Sequence, residues 1–224
     1  MTDAMPLETR LDRDAIRSIY DRLAPFYDLW ADLTEVKARR AALEAAAIRD
    51  GERILEVAVG TGLAFEEVLR RNPGGWSEGI DLTPGMLRRA EARARRLGAR
   101  SFRLSLGDAT RLPHEDGAFD LVLNSYMFDL LPEAQFAVVL HEMHRVLRPG
   151  GRIVLVNMTA GERFWHRLAE SVYRVSPRLM GGCRPVTLAP YVEAAGFRGV
   201  RRTIVTQLTF PSEILTAAKD QAAL

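Results

Sequence analysis

Three short runs, Arg53–Val59, Asp120–Asn124 and Arg152–Asn157, are apolar at nearly every position rather than at alternate ones. That pattern predicts strands covered on both faces, as in a parallel sheet flanked by helices. Between them, apolar residues recur at helical spacing in Ala64–Arg71, Pro84–Leu97 and Pro132–Leu147. Pro84 and Pro132 fall at first-turn positions, where a missing N–H costs little. Arg148-Pro149-Gly150-Gly151 then predicts a break that turns the chain into the next strand. Weaker strand patterns lie at Trp76–Asp81 and Arg100–Leu106. Strand and helix alternate in this way from Arg53 to about Asn157, which predicts an α/β fold with a doubly wound sheet.

Two regions fall outside the alternation. Residues 1–50 carry helical patterns around Asp12–Tyr20 and Glu35–Arg49, joined by the aromatic stretch Ala24-Pro25-Phe26-Tyr27-Asp28-Leu29-Trp30. Residues 158–186 separate a strand from the next predicted helix, Leu188–Ala195, and contain an apolar stripe of Phe164, Trp165, Leu168, Val172 and Tyr173. Arg163, Arg167, Arg174 and Arg178 flank that stripe. It reads either as a lid over a hydrophobic ligand, with arginines facing a phosphate or membrane surface, or as a packing helix with solvated arginines. The chain ends with two strand patterns, Gly199–Thr206 and Ser212–Ala218, close enough to pair antiparallel. The sheet then has seven strands, mostly parallel, with an antiparallel C-terminal pair.

Composition narrows the class. With 224 residues, 47% hydrophobic and 27% charged, the chain suits one globular domain with a self-supporting core. Cys183 is the only cysteine and the four histidines are scattered, so neither a disulfide nor a structural metal site is expected. A single free thiol fits a reducing cytoplasm. The net charge of +2 is too small to imply nucleic-acid binding. Arg88, Arg89, Arg93, Arg95 and Arg96 alternate with alanine and leucine, as on a solvated helix face. No run is long enough to span a bilayer, and Met1–Arg10 lacks the apolar stretch of a secretory signal.

The strongest chemical signal is the turn Gly60-Thr61-Gly62 after the first strand, where glycine lets backbone bend sharply and approach a ligand. A dinucleotide site needs a third glycine, and Phe65 occupies that place. A P-loop needs Lys-Ser or Lys-Thr, and Leu63-Ala64 stands there. Glu56, just before the turn, would repel a pyrophosphate and favour a cation. Asp81 follows the second strand, twenty-one positions past Gly60, where a carboxylate accepts ribose hydroxyls; it is also placed to cap the helix at Pro84. Asp108, in Gly107-Asp108-Ala109, is either an acceptor for an adenine amine, with Ala109 letting the ring lie close, or an ordinary turn aspartate.

Taken together, these segments resemble a known family. Ile54–Gly62 and Gly79-Ile80-Asp81-Leu82-Thr83-Pro84-Gly85-Met86-Leu87 are similar to the first two motifs of class I S-adenosylmethionine-dependent methyltransferases. Gly107-Asp108-Ala109 with Leu112-Pro113, and Phe119-Asp120-Leu121-Val122, resemble the third and fourth. Glu142–Gly151 resembles the stretch before the fifth strand. The nearest flavour is the ubiquinone, menaquinone, small-molecule and phospholipid methyltransferase group, whose N-terminal element resembles Tyr20-Asp21…Ala24…Tyr27-Asp28. One departure is Ala58, where many members have glycine.

The resemblance implies a Rossmann-like fold and S-adenosylmethionine as cofactor, leaving as S-adenosylhomocysteine. It implies that Glu56, Gly60 and Gly62 hold the methionine end, Asp81 the ribose, and Asp108 with Ala109 the adenine, with Ala58, Thr61, Leu82 and Met86 also in the cofactor site. Asn124 would face the methyl-donor region, and Tyr20 and Tyr27 would fold over the cofactor. One domain, 1–224, would comprise a helical cap (1–50), a cofactor-binding core (51–158), an inserted lid or substrate segment (159–186), and a C-terminal helix and strand pair (187–224).

Methyl transfer is an in-line displacement, so alignment and exclusion of water matter most, and the catalytic residues stay unassigned. The segment Asn124–Asp129 lacks the Asn/Asp-Pro-Pro-aromatic pattern used on amide or adenine nitrogens, so a nucleic-acid or protein-glutamine substrate is not expected. The expected acceptor is a small molecule or lipid: a quinol, a phospholipid amine or another small compound. Tyr126, Asp129, Trp165 and Tyr173 are the candidate acceptor contacts, with core or capping roles open for the first two. His141 and His144 read as packing or surface residues. A second reading is a catalytically silent cofactor-binding subunit. A nicotinamide dehydrogenase is disfavoured by Phe65 and by the lack of a Tyr-x-x-x-Lys pattern. The location is expected to be cytoplasmic, with peripheral membrane contact and oligomeric state left open.

Overall fold

The computed structural model describes residues 28, 31, 33–159, 184–208 and 210–221. Tyr20, Tyr27, Trp165, Tyr173, Cys183 and the helix expected around Asp12–Tyr20 lie outside them. Strands β1 (Arg53–Val57), β2 (Trp76–Asp81), β3 (Phe102–Leu106), β4 (Phe119–Ser125), β5 (Leu147–Met158), β6 (Phe197–Gln207) and β7 (Phe210–Lys219) form one seven-stranded sheet in the order β3-β2-β1-β4-β5-β7-β6. The first five run parallel; β7 pairs antiparallel with both β5 and β6. The strand order reverses between β1 and β4, which opens a crevice at their carboxyl ends.

Among the described residues, five α-helices flank the sheet: α1 (Val36–Ala45), α2 (Leu63–Arg71), α3 (Pro84–Arg96), α4 (Phe136–Val146) and α5 (Ala189–Ala194). The continuous apolar strands have two core faces to fill. On one, Leu55, Val57, Val122, Ile153 and Leu215 pack with Val139, Leu140 and Met143 of α4 and Val192 of α5. On the other, Ile54, Leu121, Leu123, Val154 and Ile214 meet Ala38, Ala42 and Leu43 of α1 and Val68 of α2. Fully burying each large side chain contributes about 1.5–3 kcal/mol. Lys219, at the end of β7, donates to the carbonyls of His144 (2.8 Å) and Leu147 (2.7 Å), satisfying backbone groups that the end of α4 leaves open.

Three local expectations are corrected. Arg148–Gly151 is not a turn before β5: Leu147 already pairs with Phe119 and Arg152 with Leu121, so these residues bulge out of a continuous strand. Pro149, which has no N–H to give the ladder, is tolerated at such a bulge. Pro132 does not open the long helix, because a 3-10 turn at Glu133–Gln135 precedes α4. The helix expected to reach Arg49 ends at Ala45, with Ala47 in the left-handed region at φ 45°.

Candidate functional site

The crevice is a cavity of about 140 Å³ at the ends of the first four strands. Ala58 and Gly60 close β1, Asp81, Leu82 and Thr83 close β2, Asp108, Ala109 and Thr110 close β3, and Ser125, Tyr126 and Met127 close β4. Met86 of α3 lines it too, as do Leu130 and Leu131. None of the described lining side chains is basic, and two are carboxylates.

The glycine turn is built as the sequence requires. Gly60 and Gly62 adopt φ of 56° and 82°. At Gly62 an added Cβ would lie 2.9 Å from the backbone and Cβ of Ala90, so α2 and α3 cross where only glycine fits. Phe65, one helical turn on, is fully buried against Ala90, Ala94 and Phe102. Thus the ring that removes the third glycine is a packing residue between α2, α3 and β3. Ala58 takes φ 57°, a conformation glycine adopts more easily, which is the physical content of the family's usual glycine at this place.

Asp81 ends β2 at the edge of the cavity. Its carboxylate accepts the Gly60 N–H and the Thr83 N–H, each at 2.8 Å, tying the glycine turn to the start of α3 while still lining the cavity. Burial raises its pKa, against these donors. Asp108 accepts the N–H (2.8 Å) and hydroxyl (2.7 Å) of Thr110, an aspartate turn, and also lines the cavity. The loop it opens is pinned by α4. Arg145 donates to Glu142, to Asp116 and to the carbonyls of Leu112 and His114, and Glu142 accepts the Leu112 N–H.

Glu56, Thr61, Gly62 and Asn124 adjoin the cavity without lining it. The carboxylate of Glu56 is buried, and its Oε2 has no hydrogen-bond partner. Burial pushes its pKa from 4.5 to about 8; Arg39 opposes the shift and Asp81 adds to it. Asn124 donates from Nδ2 to the Val57 carbonyl at 2.7 Å, leaving its buried Oδ1 unpartnered. Thr61 donates to Asp28 at 2.6 Å, and Arg93 donates to Asp28 (2.6 Å), to Glu66 (3.0 Å) and to the Thr61 carbonyl (3.2 Å). Arg93 is therefore a buttress joining the N-terminal region to the glycine turn, not part of a solvated stripe as its sequence context suggests. Only a contact far away in the chain reveals it.

Of the acceptor candidates, Tyr126 lines the cavity with φ 55° and places its hydroxyl 2.7 Å from Ser212. Asp129 is fully buried in a 3-10 turn, accepts the Met158 N–H at 2.8 Å, and is held well above the usual carboxylate range by burial. His141 and His144 lie on α4, away from the cavity, with His144 edge-on to Phe197.

Residues 54–151 match the family model described as a methyltransferase domain. The demethylmenaquinone methyltransferase of Thermus thermophilus is 35% identical over 169 residues, covering 73% of this chain and 76% of that protein. The chain belongs to the class I S-adenosylmethionine-dependent methyltransferases. It is an enzyme that uses S-adenosylmethionine, in the menaquinone and small-molecule group of that family. The demethylmenaquinone methyltransferase of Beutenbergia cavernae is 36% identical, with the match spanning 67% of this methyltransferase and 61% of its relative. Among solved structures, the [4+2]-cyclase SpnF superposes with a TM-score of 0.76 at 19% identity, covering 93% of this methyltransferase and 97% of SpnF. That likeness shows the shared fold only, since the architecture carries more than one chemistry.

Proposed function

We propose that this methyltransferase holds its cofactor along the ends of β1–β3 and methylates a quinol-type ring placed beside Tyr126. The observation that carries the reading is an acid-lined cavity at the strand-order reversal, with the buried Glu56 oxygen lacking a partner at its methionine end. That donor set fits a cationic, phosphate-free adenosine cofactor, because an acidic wall favours positive charge and repels phosphate. Asp81 would accept the ribose hydroxyls, with Leu82 and Met86 as apolar walls. Asp108 would accept the adenine amine, with Ala109 leaving room for the ring. Ala58, Gly60, Thr61 and Gly62 would shape the methionine end and Asn124 would flank the methyl-donor region. When bound, the cofactor supplies an electrophilic methyl group on a sulfonium. The chain's part is alignment and dryness: Tyr126, Met127, Leu130 and Leu131 form an apolar wall on the β4 side.

The quinol acceptor rests on the names of the relatives, together with that apolar wall. Residues 1–50 serve as a cap over the cofactor in this reading, supported by the bonds of Asp28 to Thr61 and Arg93; Tyr20 and Tyr27 would belong to it. Residues 51–158 form the core, 159–186 the acceptor segment with Trp165 and Tyr173, and 187–224 the C-terminal helix and strand pair. No helix among the described residues is long and apolar enough to cross a membrane. The arginine-flanked stripe from Phe164 to Tyr173 is the feature that would bring a cytoplasmic enzyme to a bilayer surface to meet a lipidic acceptor. Flotation with anionic vesicles tests that part.

The central test is transfer of labelled methyl from S-adenosylmethionine to chemically reduced demethylmenaquinone, run beside phosphatidylethanolamine and simple phenols. Labelled menaquinol as the dominant product is expected. Transfer confined to the phospholipid amine would overturn the quinol assignment, and no binding of S-adenosylhomocysteine would overturn the cofactor placement.

A further inference from the structure

Beyond the cavity wall, towards β5 and β7, lies a second group of buried polar side chains. Asn157 is fully buried in β5, and neither its amide nitrogen nor its amide oxygen has a hydrogen-bond partner. Glu213 of β7 is its direct antiparallel neighbour, so both side chains emerge on one face of the sheet. Glu213 is also fully buried; Arg202 holds its Oε1 at 2.5 Å, and its Oε2 is unpartnered. Asn124 belongs to the same face, because it pairs with Leu155, two residues before Asn157. Asp129 reaches this end of β5 by accepting the Met158 N–H, and its Oδ1 is unpartnered.

Unpaired polar atoms buried this completely are uncommon and costly in a native protein, which rarely keeps them without a ligand, ion or water to satisfy them. Their placement is specific. Ser125, Leu130 and Leu131, chain neighbours of Asn124 and Asp129, line the cavity, and the group lies just beyond that lining. Its charged surroundings are Arg202 on Glu213, Arg184 bonded to the Leu131 carbonyl, and Glu35 acting on Asp129. What the atoms present is mixed: an amide that donates, and amide and carboxyl oxygens that accept. A partner that both donates and accepts suits such a set. A ring hydroxyl does so, whereas a quinone carbonyl or an ether oxygen only accepts.

We propose that Asn157, Asp129 and Glu213 form the anchoring site for a ring hydroxyl of the methyl acceptor and so select the reduced, hydroxylated ring over its oxidised or ether forms. The proposal rests on the quinol reading above, but its test does not require turnover. The S-adenosylhomocysteine-loaded full chain is titrated with 1,4-naphthohydroquinone, kept reduced, and with 1,4-dimethoxynaphthalene, which has the same ring and no hydroxyl donor. The wild-type protein is expected to bind the hydroquinone at least tenfold more tightly. Asn157→Leu, nearly isosteric and apolar, should reduce that preference to within twofold. It should leave S-adenosylhomocysteine affinity unchanged and the melting temperature of the unliganded protein equal or higher, because an unpartnered amide is removed. Asp129→Asn, which retains an acceptor for the Met158 N–H, serves as the second variant and should also weaken the preference.

A wild-type protein without the preference, or both variants keeping it in full, would overturn the proposal. A lower melting temperature for Asn157→Leu with the preference intact would also overturn it, by showing a structural role. If the hydroquinone preference holds and depends on Asn157 while reduced demethylmenaquinone is not methylated, the anchoring site stands and the quinol assignment alone fails.

Discussion

Glu56 carries the most charge-sensitive prediction. Its pKa is raised from 4.5 to about 8 in the folded protein, so between those limits the native state binds a proton that the unfolded chain releases. Its stabilising share is therefore full below about pH 4.5 and is lost as pH rises through about 8. Glu56→Gln should remove that slope, so the difference in melting temperature between variant and wild type moves in the variant's favour from pH 5 to pH 8. A cation placed against the carboxylate should lower the pKa and expel the proton. Titration calorimetry at pH 7 in two buffers of different ionisation enthalpy should show proton release on S-adenosylmethionine binding to the wild type. Glu56→Gln should show none and bind about tenfold or more weakly, as expected for a lost hydrogen bond to a charged group. Release that persists in the variant would assign the proton elsewhere.

Between elements, the decisive contact is the one sequence patterning misread. Arg88, Arg89, Arg95 and Arg96 share a stripe with Arg93, yet Arg93 alone reaches across α2 to Glu66, Asp28 and the Thr61 carbonyl. A hydrophobic-polar pattern specifies which way a helix faces, not which of its charged residues meets a partner sixty-five positions earlier in the chain. Arg93→Met keeps the apolar stem over Thr61 and removes the charge. It should raise the Kd for S-adenosylhomocysteine about fivefold, the effect of roughly 1 kcal/mol for a partly exposed ion pair. Fluorescence titration reads this directly. An unchanged Kd with unchanged melting temperature would reduce the contact to a surface pair.

Over the whole molecule, stability and site geometry share the same packing. Phe65 is buried where α2, α3 and β3 meet, directly behind the glycine turn. Phe65→Ala should cost about 3–5 kcal/mol in urea unfolding and leave a cavity that loosens the turn. A loss below 1 kcal/mol would mean that the helices collapse onto the gap. The alternation of strands and helices, the antiparallel ending, the glycine turn and the three acids at successive strand ends are all legible along the chain. These are local consequences of periodicity and backbone freedom, readable within a few residues. Folding is what bonds Asp81 to the glycine turn, bridges Arg93 to Asp28, and sets Asn157 beside Glu213 with unpaired atoms. Those pairings join residues distant in sequence, and register and burial, rather than local pattern, decide whether a polar group finds its partner or is left for a ligand.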